Sequence, residues 1–141
     1  QLTKTYGAGR IVMVWTRHEQ LKIAMEAGAT DLVVANPKHD PVEAVMEITD
    51  GNGADSVFET VGGSGPTMSQ AIDISRSGRA ISVLGLFSEP MGINAAIAMR
   101  KELRIEWSNS YSSWQGFSEY RTVLNVLANG NVNADPIITT H

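Results

Sequence analysis

The chain has no cysteine, and that absence removes disulfides and thiolate zinc sites from its 141 residues. It is compatible with a reducing cytosol, and the cytoplasm is the expected location. No run of about 18 apolar residues is present to span a bilayer, so no membrane partner is expected. Basic residues are few and scattered: 11 Lys and Arg against 15 Asp and Glu leave a formal charge of −4, with no basic footprint for nucleic acid. Histidine is scarce as well. His39 and His141 have no partners at ligand spacing, and His18-Glu19-Gln20-Leu21-Lys22 carries Lys22 where a metalloprotease helix needs its second histidine. No metal site and no catalytic residue are therefore assigned. No internal repeat or low-complexity segment is seen, and no signal peptide is expected at its start. Residues 1–7 read as the last turns of a helix stopped by Gly7, as though the sequence began in mid-element.

What is there suits one globular domain, 43% apolar and long enough for a sizeable core. The clearest stretch is residues 10–29. A β-branched run at 11–14 reads as a buried strand, and Leu21, Ala24, Met25 and Gly28 then recur at helical spacing, with Gly28 as the stop. A second strand is expected at 31–35. Pro41 suits a first helical turn, and Val42, Val45, Met46 and Thr49 form its buried stripe. Residues 56–59 read as a third strand, and Met68, Ala71, Ile72 and Ser75 as the inner face of the next helix, closed by Ser77-Gly78. Further strands are expected at 80–86 and 103–107, with a short helical piece near 93–99 between them. In the final helix Phe117, Tyr120, Leu124 and Leu127 recur, and Asn129-Gly130-Asn131 ends it. Strands alternating with helices at this spacing predict an α/β domain with right-handed crossovers and a parallel sheet.

In a dinucleotide-binding domain of this class, the tip of the strand after the glycine-rich turn meets the adenosine ribose, usually through an acid. Here the tip reads Trp15-Thr16-Arg17. A hydroxyl beside a guanidinium suits a phosphate better than a bare ribose diol. Trp15 either stacks on adenine or packs at the edge of a core.

Several short motifs then carry a resemblance: Glu26-Ala27-Gly28-Ala29, Gly51-Asn52-Gly53-Ala54-Asp55, Phe58-Glu59-Thr60-Val61-Gly62-Gly63, Leu84-Gly85-Leu86 and Asp135-Pro136-Ile137-Ile138-Thr139. In this order and spacing the chain resembles the coenzyme domain of the medium-chain, zinc-dependent alcohol and polyol dehydrogenases over nearly all its length. The resemblance implies a Rossmann-type, doubly wound parallel sheet of order 3-2-1-4-5-6. The first, central strand and its glycine-rich turn are not within these residues, and neither is the catalytic domain. The five strands would flank the missing one, whose place is expected to be filled by an upstream strand or another chain, or closed by direct pairing of its two neighbours.

The resemblance also implies the site. Thr60 and Val61 correspond to residues beside the nicotinamide ribose. Leu84-Gly85-Leu86 lies at the carboxyl edge of the sheet, where Gly85 either admits a ligand or makes a tight turn. Asn109 and Ser110 would contribute through backbone groups, within a stretch at 107–114 that either lines the cleft or forms dimer surface. Gly63-Ser64-Gly65 is a weak fingerprint, because Met68 stands where a third glycine is needed. Glu59 is read as a strand-end structural carboxylate. The implied activity is hydride transfer between NADP or NAD, with NADP favoured, and a small alcohol or carbonyl substrate. Zinc would sit in the absent catalytic domain, and a homo-oligomer is expected. A zinc-independent quinone reductase of the same superfamily and a noncatalytic nucleotide-binding domain are the alternatives. The 141 residues alone are expected to be inactive.

Overall fold

Asp40 opens a helix in the manner its sequence dictates: its carboxylate accepts the Val42 N–H at 2.8 Å, and Pro41 occupies the first turn, where no N–H is needed. Such local signals recur through the computed structural model, which describes residues 1–16, 21–109, 113–135 and 138. In chain order the elements are α1 (Leu2–Thr5), β1 (Val12–Trp15), α2 (Leu21–Glu26), β2 (Asp31–Val34), α3 (Pro41–Ile48), β3 (Ala54–Glu59) and α4 (Thr67–Ile74). They continue with β4 (Ser75–Val83), α5 (Ala95–Arg100), β5 (Arg104–Trp107), β6 (Ser113–Trp114), β7 (Phe117–Ser118) and α6 (Glu119–Ala128). The fold is α/β with parallel sheets. It divides into two compact units, Gln1–His39 with Ser110–His141, and Asp40–Asn109.

In the first unit β1 and β2 pair in parallel, Val12 opposite Asp31 and Trp15 opposite Val34. Thr30 registers the pair, because its hydroxyl accepts the Ile11 N–H at 2.8 Å and donates to Asp31 at 2.6 Å. The start and end of the unit are joined by Gln1, whose Nε2 donates to the Asn133 carbonyl at 2.7 Å while its Oε1 accepts the Asn133 N–H. A two-residue antiparallel hairpin, β6–β7, turns at Gln115 and Gly116, both with positive φ.

The second unit holds three parallel strands in the order β3-β4-β5. Val57, Ile81 and Val83 from the strands meet Met68, Ala71 and Ile72 of α4 in one buried cluster. Helix α4 ends where Lys101 Nζ donates to three carbonyls, those of Ile72, Asp73 and Ser75, at 3.0, 2.6 and 2.9 Å.

The parallel strands form the ladders β1-β2 and β3-β4-β5, as expected for strands that flank a missing central one, and direct pairing of β1 with β3, one of the three expected outcomes, is not among the ladders of the described residues. Three expectations change. Strand β4 begins at Ser75 directly after α4, since Ser77-Gly78 lies inside it: the Gly78 N–H donates to the Lys101 carbonyl, and the strand is irregular between its pairing at Ser75 and at Ala80. The same strand stops at Val83, which frees residues 84–86 from the ladder. Finally, Phe117 belongs to β7, and α6 buries none of its residues.

Candidate functional site

The carboxyl ends of β3 and β4 are closely built. Past Glu59 the chain turns back so that its carboxylate accepts the N–H groups of Val61 and Gly62, both at 3.0 Å. Successive N–H groups with a positive-φ glycine make a concave anion seat, here occupied by the chain's own carboxylate. The Glu59 carbonyl meanwhile accepts the N–H groups of Leu84 and Gly85 at 2.7 and 3.0 Å, and the Gly63 N–H donates to the Leu86 carbonyl at 2.8 Å. The turn after β3 and the turn after β4 therefore cross. At the crossing, a Cβ on Gly62 would overlap the Leu86 backbone, and one on Gly85 would overlap the Glu59 carboxylate and the Gly62 amide. Only glycine permits this approach.

The structure thus brings Thr60, Val61, Leu84, Gly85 and Leu86 together. Around the crossing, Val61 is 66% exposed, Leu86 80%, and Thr60 and Leu84 are exposed as well. The apolar side chains of Val61, Leu84 and Leu86 thus stand exposed over a hydrogen-bonded floor at the strand ends. Beside it lies a cavity of about 370 Å³ between the 63–66 turn and the 89–92 loop, with Ser69 and Glu89 contributing polar groups. Asn109 follows β5 and is exposed, two residues past Trp107 opposite Val83. Ser110 lies outside the described residues.

In the first unit Trp15 ends β1 with 36% of its surface exposed, and Thr16 next to it is exposed. The Trp15 carbonyl accepts the Ala35 N–H at 2.7 Å, so the backbone at this strand tip is fixed. Arg17 lies outside the described residues. Among those described, no group of three or more His, Asp or Glu side chains is placed to hold a metal ion.

Two features were less visible in sequence. Met68, in the place of a third glycine, is 2% exposed and fills the core under the turn, so α4 packs here through a large side chain. The mutual fit of Gly62 and Gly85 joins positions 23 residues apart, and only a glycine at each strand end hinted at it.

Comparison with known proteins identifies the family. The sequence model of the family described as zinc-binding dehydrogenase matches residues 1–129. The chain belongs to that family. It is 31% identical over 139 residues to L-threonine 3-dehydrogenase of Thermococcus kodakarensis, covering 98% of this chain and 38% of that protein. It is 32% identical over 142 residues to sorbitol dehydrogenase of Halalkalibacterium halodurans, covering 99% and 39%. Among solved structures, an Escherichia coli oxidoreductase/dehydrogenase of unknown specificity superposes with a TM-score of 0.82 at 26% identity, over 96% of this chain and 37% of that one. A putative zinc-binding dehydrogenase of Sinorhizobium meliloti, bound to NADP, gives 0.79 at 23% identity over 98% and 40%, a likeness of fold. The chain spans about two fifths of the length of the curated relatives it matches.

Proposed function

We propose that these residues are the coenzyme-holding part of a zinc-dependent oxidoreductase that moves a hydride between a nicotinamide coenzyme and an alcohol or polyol. The observation that carries this reading is the crossing of the two turns at the carboxyl ends of parallel strands β3 and β4, where open α/β sheets take their ligands. In this reading Thr60, Val61, Leu84, Gly85 and Leu86 meet the nicotinamide end, with Asn109 and Ser110 contributing backbone groups. Trp15, Thr16 and Arg17 meet the adenosine end, and the absence of a carboxylate there favours the 2′-phosphate of NADP over the ribose of NAD. The bound coenzyme supplies the hydride acceptor, and this chain's residues orient it and shield its ring from water. Zinc, the substrate pocket and proton transfer belong to residues outside this chain. The substrate is a small alcohol or its carbonyl counterpart, the assembly a homo-oligomer and the location the cytoplasm.

Fluorescence titration of the whole protein with NADP and NAD, followed by activity with L-threonine, sorbitol and a pentitol phosphate, tests the reading. Arg17→Ala should weaken NADP by roughly ten- to a hundredfold, the loss of one charge-assisted contact, and leave NAD nearly unchanged. Equal weakening of the two removes Arg17 from the phosphate role.

A further inference from the structure

Glu59 is 4% exposed, yet no Lys, Arg or His among the described residues forms an ion pair with it. Among the described residues its carboxylate is held by the Val61 and Gly62 N–H groups. A buried anion balanced only by backbone dipoles leaves a negative potential, and that potential is felt strongly where water is excluded. Val61, whose N–H donates to this carboxylate, is itself exposed on the surface assigned to the nicotinamide. We infer that Glu59 sets the preference of this site between the two redox states of its coenzyme: its charge favours the cationic ring of the oxidised form over the neutral ring of the reduced form. A backbone seat alone needs no charge here, because an amide oxygen could accept the same two N–H groups. The inference rests on the coenzyme reading above and extends it.

The test titrates the whole protein with NADP+, NADPH and, as a ring-free control, 2′-phospho-ADP-ribose. Glu59→Gln should weaken the oxidised form about tenfold more than the reduced form, about 1.4 kcal/mol of discrimination, with the control unmoved. Glu59→Asp, which keeps the charge, should restore the ratio of the two affinities to within about twofold of the wild type. Glu59→Asn shortens the side chain as Glu59→Asp does but removes the charge, so the ratio should fall in Glu59→Asn relative to Glu59→Asp, and a result is obtained even where Glu59→Gln does not fold. An unchanged ratio in the folded variants overturns the inference, as does a loss shared equally by the control. If the wild-type protein binds none of the three probes, the coenzyme reading fails and takes this inference with it.

Discussion

The two units of the chain are built from the same alternation of strand and helix, but they bury very different amounts of it. Asp40–Asn109 encloses Val45, Val57, Met68, Ala71, Ile72, Ile81 and Val83, whereas the described residues of the other unit bury only Ala29 and Val33 among apolar side chains. The difference does not come from composition. Helix α6 has Tyr120, Val123, Leu124 and Leu127 at helical spacing, as good a stripe as that of α4, and all four stay exposed. An amphipathic sequence specifies a face, and a partner surface must then exist to cover it. In the second unit a three-stranded parallel sheet provides that surface; the first has a two-stranded parallel sheet and the short β6–β7 hairpin.

The largest expected effect is at Ile72, which is 0% exposed. Ile72→Ala should cost about 2–5 kcal/mol in urea unfolding, while Leu124→Ala, at 64% exposure, should cost less than about 0.5 kcal/mol in the same 141-residue chain. Comparable losses would abolish the contrast between the units. Gly62→Ala comes next, because it combines a positive φ with overlap on the Leu86 backbone. We expect a loss of about 2–3 kcal/mol in the whole protein, and wild-type stability would mean the crossing is looser than described. The smallest of the three is Lys101→Met, expected to cost about 1.5–2 kcal/mol because water can reach some of the carbonyls that Lys101 now satisfies. Faster hydrogen exchange at the end of α4 should accompany it. Exchange unchanged there would show that the three hydrogen bonds do not hold this helix end.

How far the sequence led depends on whether a feature is local. The strand at Val12–Trp15, the helix at Leu21–Glu26, the Asp40-Pro41 helix start and the parallel pairing of the strands all follow from spacing and end signals, and the structure has them. Glu59 was legible as a structural carboxylate from its place at a strand end. The departures arise where distant residues decide. Ser77-Gly78 has the composition of a helix stop, but a carbonyl at Lys101 engages Gly78 inside β4. The β6–β7 hairpin sits in a tryptophan- and serine-rich stretch with no alternating pattern to announce it. The exposed face of α6 could not be foreseen because burial is not a property of a helix alone. At the site, the Trp15 tip and the turns after β3 and β4 were picked out individually, while the interlock between those turns needed coordinates.

That interlock has a consequence for how the site can change. Gly62 fills the space a side chain on Gly85 would require, and the Glu59 carboxylate closes the same gap from the other side. No single substitution that adds a Cβ at either glycine can be accommodated by a change at the other, since the Cβ at Gly62 meets the Leu86 backbone and the one at Gly85 meets the Gly62 backbone as well as the Glu59 carboxylate. Sequence variation is therefore channelled outward, to Thr60, Val61, Leu84 and Leu86, which are exposed. A library randomised over residues 59–63 and 84–86 should return folded members that differ at those four positions and hardly at all between them, a floor that cannot be edited beneath a rim that can.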